Sequence, residues 1–431
     1  MELKYWAATD VGRKRDHNED NFLIDKQLHL FVVCDGMGGH AAGEVASQLA
    51  IHEVRQAVLQ NDDIVQRFAS GDGSVRADEI LTIIEHAIQS ACSAIYRHGQ
   101  AEPEKRGMGT TCSVLLVIGE RGFLAHVGDS RIYLLRQGKV HQLTEDHSLI
   151  NELIKRGKIT KDGIESSPYK NYKNAVTRAV GVYESVQVDT LDFEVLPGDH
   201  YLLCSDGLHH YLTSDDLIGD NLRAPDINDV PNRFIKLANE GGGHDNITAV
   251  VVRVEADATA VADGRIEELA RKVEVVKGMP IFRHLNYKEV MRILNITEVR
   301  DYQPGELLLQ EGTPGSELFI ILSGKVRLHK QGAFIVELTR GQHLGEMALV
   351  DSGPRSASAT AEERTRALIV RRPDFLNIIR KEAPLATKLL WSFVQVLNER
   401  LRKTTADLSG ARTEARAVDL SDEVAFDDEA N

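Results

Sequence analysis

Five short apolar runs constrain this chain most: Leu30 to Cys34, Cys112 to Ile118, Gly122 to Val127, Tyr201 to Cys204 and Ile247 to Val254. They are rich in β-branched residues and end in Gly or Asp turns, the mark of buried strands. Between the first two, Ala41 to Val58 and Asp78 to Tyr96 place apolar residues at three- and four-residue intervals, the helical period. Strands then resume and run to Val254, with one helical insertion near Leu149 to Arg156. The pattern predicts an α+β domain over residues 1–254, with helices packed on sheets.

A second pattern follows. Glu255 to Gly264 is rich in Ala, Asp and Thr without periodicity, and Arg265 to Lys277 is helical in spacing, so residues 255–278 read as a linker and connecting helix. From Val299 to Val370 short strands alternate with turns at Pro304-Gly305, Gly312, Pro314-Gly315, Gly324, Gly332, Gly341 and Gly353, the spacing of a small β jelly-roll barrel. With flanking helices this second domain spans residues 279–403. Its last helix, Pro384 to Lys403, carries Leu385, Leu389, Leu390, Phe393, Leu397 and Leu401 as one stripe. Residues 404–431 are acidic and poor in aromatics, a disordered tail by composition.

Composition removes several classes of function. Over 431 residues the net charge is −14, which repels phosphate backbones and argues against general nucleic-acid binding. Cys34, Cys92, Cys112 and Cys204 are widely spaced without a CxxC pair and read as reduced core thiols. No apolar run reaches the roughly 18 residues of a membrane span, and the start lacks the basic and apolar regions of a signal peptide. A cytoplasmic protein without a membrane partner is expected.

The aspartates of the first domain fall in five motifs, Asn18-Glu19-Asp20, Cys34-Asp35-Gly36-Met37-Gly38-Gly39, Gly128-Asp129-Ser130-Arg131, Cys204-Ser205-Asp206-Gly207 and His244-Asp245-Asn246, four of which follow or precede an apolar strand. Each alone is an ordinary turn sequence. Together they form a set of oxygens that repel one another unless a cation neutralises them, and an all-oxygen set selects Mg2+ or Mn2+ over zinc or copper. Gly36 permits close backbone approach and leaves its carbonyl as a ligand.

With Arg15, Gly109-Thr110-Thr111 and Asp245-Asn246 in order, the first domain resembles the metal-dependent protein phosphatases of type 2C in their bacterial form. The resemblance implies an antiparallel β-sandwich flanked by helices, with two or three ions at one end. It implies that Asp35 bridges two ions, that the Gly36 carbonyl serves one and Asp206 and Asp245 the other, and that Glu19 and Asp20 hold the water shell. The activity implied is hydrolysis of phosphoserine and phosphothreonine on proteins by a water acidified between cations. Arg15, able to grip two phosphate oxygens, is the phosphate-binding candidate. Asp129 is assigned to a weaker third ion shared with Asp206; a turn closed by an Asp–Arg ion pair is the alternative. Met37 stands where the animal enzymes carry His, so no general acid is assigned. His40, His147 and His244 near the motifs are read as structural or surface residues. Gly157 to Asn174 lies where these enzymes carry a flap that tunes substrate choice.

In the second domain, Gly345-Glu346-Met347-Ala348-Leu349 leads through Gly353-Pro354 to Arg355-Ser356-Ala357. A cyclic nucleotide needs backbone N–H donors, a cation for its phosphodiester and an acceptor for its ribose hydroxyl. Gly345 and the following turn supply the first, Arg355 and Ser356 the phosphate contacts, and Glu346 the acceptor. The alternative is a Glu346–Arg355 pair in a barrel that binds nothing. The cassette, with Tyr302 to Glu306 and Leu318 to Gly324, resembles the cyclic nucleotide-binding domain. A phosphatase regulated by cyclic nucleotide, cyclic AMP favoured over cyclic GMP, is the expected whole. A phosphatase with a docking barrel and a pseudophosphatase scaffold with a sensing barrel are the competing readings. The retained Asp35, Asp206 and Asp245 weigh against the scaffold.

Overall fold

A computed structural model describes residues 2–38, 42–255, 264–351 and 353–399, with residues 401, 402, 405, 406 and 409 beyond. The linker after Glu255, Gly39, His40 and most of the acidic tail lie outside the described residues. The chain divides into two compact units, 1–268 and 269–431, the division falling within helix Arg265–Gly278. No described helix is long and apolar enough to cross a membrane.

The first unit is a sandwich of two antiparallel sheets. One orders its strands Leu3–Asp10, Ile247–Val254, His200–Cys204, Arg131–Arg136 and Lys139–Gln142. The other orders Asp20–Asp25, Leu30–Met37, Cys112–Ile118, Arg121–Val127 and Asp189–Glu194, with Gly109–Thr110 paired to Leu30–Met37. All five predicted strands are present. Their apolar runs are continuous because both faces are covered. Leu30, Val32 and Cys34 turn to the helical layer of Ala42–Gln60 and Ala77–Ala101, while Phe31 turns inward, its ring 5.5 Å from Tyr5 of the other sheet. All four cysteines are buried and free.

The expectation of a single helical insertion after the second strand group is corrected. Besides Leu149–Lys155 the structure holds Asp206–His209, Asp215–Leu222 and Val230–Glu240, which cover the outer face of the first sheet through Leu208, Ile218, Leu222, Phe234 and Ala238. Asp215–Leu222 starts at Ser214, whose side chain accepts from the Leu217 N–H, a capping signal the apolar spacing alone passes over.

The second unit is a jelly roll of two four-stranded antiparallel sheets. Strands Thr297–Tyr302, Thr365–Arg371, Glu317–Ser323 and His343–Leu344 face Leu307–Leu309, Ser358–Ala361, Val326–Lys330 and Ala333–Leu338. Tyr302, Phe319, Ile321, Val326, Ala359 and Ile369 fill the space between them. The final helix runs over 383–399, and its expected stripe is corrected. Leu385, Leu389 and Phe393 are buried, but Leu390, Leu397 and Leu401 are exposed and Ala386 and Val396 turn inward instead. At about 100° per residue the expected six spread over an arc of about 160°, wider than one packing face.

Candidate active site

The strand ends named by the sequence meet at one cavity of about 300 Å³, lined by Arg15, Glu19, Asp35, Gly36, Thr111, Asp129, Asp206 and Asp245 among others. Asp35 lies near the end of its strand, paired in register with Asp20. Asp206 follows strand His200–Cys204, and Asp245 precedes Ile247–Val254. Asp129 follows Arg121–Val127. Gly36 is required by the packing: a Cβ there would sit 2.2 Å from the Gly43 carbonyl oxygen and 2.6 Å from that of Glu19.

Hydrogen bonds fix the Asp35 backbone. Its N–H donates to Thr111 Oγ1 at 2.9 Å, and its carbonyl accepts from Thr110 Oγ1 at 2.9 Å and from the Thr111 N–H at 2.8 Å. Asp20 does not line the cavity but stands directly behind it, its Oδ2 accepting from Ser205 Oγ and Thr248 Oγ1, both at 2.7 Å. The Asn246 carboxamide joins the parts: its oxygen accepts from Glu19 N–H at 2.9 Å, and its nitrogen donates to the carbonyls of Val11 and His17.

Charge in this site is unbalanced. Burial, then the neighbouring Asp20, Asp206, Asp129 and Asp245, hold the Asp35 carboxyl well above its ordinary range. Burial pushes Asp20 and Asp129 up to about 7 each, and raises Asp206 and Glu19. Arg15 donates to Asp245 Oδ2 at 2.7 Å, a contact that raises its own pKa, while Asp245 Oδ1 accepts from the Asn246 N–H at 2.9 Å. Among the described residues no three His, Cys, Asp or Glu side chains are gathered closely enough to hold an ion as they stand. The chemistry of the donor set nevertheless fits hard cations: it is all oxygen, its carboxylates repel, and Asp206 Oδ1 and Asp20 Oδ1 are buried without a hydrogen-bond partner. Each Asp245 oxygen retains a second lone pair beside its present bond.

Among the described residues Asp129 forms no ion pair, although the charge of Arg131 acts on its carboxyl. Arg131 forms a bidentate pair with Asp146 at 2.9 and 2.7 Å, and the Asp129 carbonyl accepts from His209 Nε2 at 2.9 Å. The turn carrying Asp129 is held instead through Gly128. Its carbonyl accepts from the His147 N–H at 2.8 Å and from His126 Nε2 at 3.0 Å, and its N–H donates to His147 Nδ1 at 3.1 Å. His147 also receives Thr177 N–H on its carbonyl at 2.7 Å, so one buried residue ties the Asp129 turn to the segment that closes the flap. Asn174 and Val176 of that segment line the cavity. Thr110, Thr111 and Asn246 were given no role by the sequence, and His147, read there as structural or surface, is buried. The Thr-Thr and Asp-Asn pairs beside the aspartates were the available signals.

The second unit has its own cavity, of about 400 Å³, lined by Gly345, Glu346, Arg355, Ser356 and Ala357 with an apolar wall including Leu309, Leu328 and Leu344. Among the described residues Arg355 forms no ion pair. Its guanidinium donates to the Glu317 carbonyl at 2.8 Å, and burial, opposed by the charges of Glu317 and Glu346, lowers its pKa. Gly345 has φ +80°, and a Cβ there would lie 2.5 Å from the Arg355 guanidinium and 2.8 Å from the Glu317 carbonyl oxygen. Glu346 is buried, at 6% exposure, while Ser356 is exposed.

A helix-flanked antiparallel sandwich with a carboxylate cavity at its strand ends is the architecture of a metal-dependent phosphatase. The comparisons agree. Residues 12–240 match the family described as Protein phosphatase 2C, and residues 299–382 match the Cyclic nucleotide-binding domain. The serine/threonine protein phosphatase PstP of Mycobacterium tuberculosis is 36% identical over 299 residues, 64% of this chain and 54% of PstP, so the chain spans about half the length of that relative. The serine/threonine phosphatase stp of Listeria monocytogenes is 37% identical over 58% of this chain and 95% of its own. The crystal structure of the mycobacterial phosphatase PstP/Ppp superposes with a TM-score of 0.51 at 38% identity, covering 59% of this chain and 99% of that one. The chain belongs to the protein phosphatase 2C family and carries a cyclic nucleotide-binding domain after it.

Proposed function

We propose that this protein hydrolyses phosphoserine and phosphothreonine on other proteins with two or three Mn2+ or Mg2+ ions, and that cyclic nucleotide at the second unit sets its activity. The observation that carries the first part is the convergence of Asp35, Asp129, Asp206, Asp245 and Glu19 on one cavity with Arg15 at its mouth. Bound there, divalent cations supply charge neutralisation and the acidification of water for in-line attack on phosphorus. Asp35, the Gly36 carbonyl, Asp206 and Asp245 would hold the two main ions. Asp129 with Asp206 would hold a weaker one, and Glu19 and Asp20 would orient the water shell. Arg15, bonded to Asp245 in this structure, would hold the substrate phosphate and balance its growing charge.

Arg355 supports the second part, being a half-buried cation without a carboxylate partner among the described residues, in a cavity with an apolar wall. An anionic phosphodiester joined to a flat base suits both features, and cyclic AMP is the effector favoured. Phosphate release from a phosphothreonine peptide, measured with and without Mn2+ and with each cyclic nucleotide, tests both parts. Release that needs the metal and changes several-fold with cyclic AMP is expected. Release indifferent to chelator defeats the first part, and release indifferent to both nucleotides defeats the second.

A further inference from the structure

The flap carries a charge opposite to that of the molecule. Over 157–174 four basic residues, Lys158, Lys161, Lys170 and Lys173, face two acidic ones, Asp162 and Glu165, and Lys155 and Arg156 stand just before them, in a chain of net charge −14. All six are exposed. Lys155 pairs with Glu145 at 2.9 Å and Arg156 lies 3.5 Å from Glu152. Glu165 bonds Lys173, and the charge of Lys170 acts on the same carboxylate. Among the described residues Lys158 and Lys161 form no ion pair, so the segment keeps unneutralised positive charge.

Its position gives that charge a use. The turn Lys170–Tyr172 is closed by the Ala175 N–H donating to the Tyr172 carbonyl at 3.1 Å, immediately before Asn174 and Val176 enter the wall of the catalytic cavity. Four residues of chain reach at most about 14 Å, so Lys170 stands within that distance of the cavity wall. An extended peptide advances about 3.3 Å per residue, so three or four positions from its phosphorylated residue span a length comparable to the reach from the cavity wall to Lys170. On the side of Arg15, Arg13 and Lys14 are also exposed. The cavity itself is lined by five carboxylates. A substrate rich in Asp and Glu is therefore repelled by the molecule at large and attracted at the flap, which orients it on approach.

Resting on the phosphatase reading above, we propose that the flap lysines recognise acidic residues flanking the phosphoester, and that the substrate class is a phosphoserine or phosphothreonine segment with Asp or Glu within about four positions. The lysines touch neither the reacting phosphorus nor the metal ligands; they set which segments dock.

The test uses the full chain and two fluorescein-labelled phosphothreonine peptides, identical except that flanking Asp and Glu in one are Gln in the other. Binding is read by anisotropy and turnover by phosphate release in Mn2+. Wild type is expected to favour the acidic peptide about tenfold in both affinity and kcat/KM at about 20 mM salt, with the ratio collapsing at about 300 mM as screening shortens to within a side-chain length. Lys158→Gln/Lys161→Gln/Lys170→Gln should bring the ratio near one, and the corresponding triple Arg variant should keep it. Equal use of the two peptides by wild type, or a preference surviving in the triple Gln variant, overturns the proposal. Release from neither peptide refutes the phosphatase reading instead, and the anisotropy ratio still decides the flap.

Discussion

At the scale of single residues, the proposed function rests on Asp35 and Arg15, which line one cavity. On that reading, removing the Arg15 guanidinium takes away a bidentate grip on phosphate but no metal ligand. Arg15→Ala is expected to lower kcat/KM by about 2–4 kcal/mol equivalent, with unchanged half-saturation by Mn2+. Steady-state kinetics across a metal titration checks this, and an unchanged kcat/KM returns Arg15 to a surface role. The raised carboxyls make a second prediction. Asp20 and Asp129 sit at about 7 in the folded chain against about 4 when unfolded, so the folded state binds extra protons in that window. That stability is fully present below about pH 4 and is lost as pH rises through 7. Chelator-treated protein should therefore lose thermal stability between about pH 5 and 8, and Mn2+ should flatten the slope. A melting temperature that rises over that range would contradict the charge account. Asp35, Asp129, Asp206 and Asp245 were legible because each lies in a motif that follows or precedes an apolar run. Thr111 and Asn246 were not, because their meaning lies in bonds to Asp35 and Glu19, 76 and 227 positions away.

At the scale of elements, strands were read most directly because their apolar runs are buried on both faces. The helices over 206–240 were missed for the opposite reason: Asp206–His209 is a single turn beginning Asp-Gly, and Asp215–Leu222 buries only Ile218, Gly219 and Leu222. The loop joining the Asp129 turn to the flap shows how elements are tied together. The Gly128 N–H donates to His147 Nδ1 at 3.1 Å, and Arg178 Nη1 lies 3.1 Å from His147 Nε2, so both ring nitrogens are engaged. His147→Leu leaves the buried Gly128 N–H without an acceptor and should cost about 1–3 kcal/mol in urea unfolding. His147→Asn places an oxygen near the Nδ1 position and should recover most of the loss. Equal destabilisation by both substitutions would show that ring packing, not the acceptor, matters.

On the scale of the whole molecule, the phosphatase 2C unit and the unit with the cyclic nucleotide-binding domain divide within the helix Arg265–Gly278. Nucleotide can alter turnover only by binding two arrangements of the chain unequally, and a several-fold change corresponds to a coupling of roughly 1–3 kcal/mol. Arg355→Ala is expected to abolish nucleotide binding by calorimetry and the change in turnover together, leaving metal-dependent hydrolysis in place. Retained binding in this variant would remove Arg355 from the site. The division into two folds was legible in the change from mixed helical and strand spacing to glycine-punctuated strands. The facing of the last helix was not, because Leu390, Leu397 and Leu401 have the same composition as the buried Leu385 and Leu389 but stand outside the packed arc.

On the proposed function, the carboxylate cavity holds the ions that drive phosphoester hydrolysis. One Mn2+ titration of metal-stripped protein, with bound ions counted by calorimetry and phosphate release from a phosphothreonine peptide followed in the same samples, tests it most directly. The account predicts at least about two ions per chain, turnover that rises with their occupancy, and in Asp35→Asn the loss of tight binding together with about a 10²-fold or greater fall in turnover. Turnover in stripped protein without added metal, or wild-type turnover in Asp35→Asn, would contradict it.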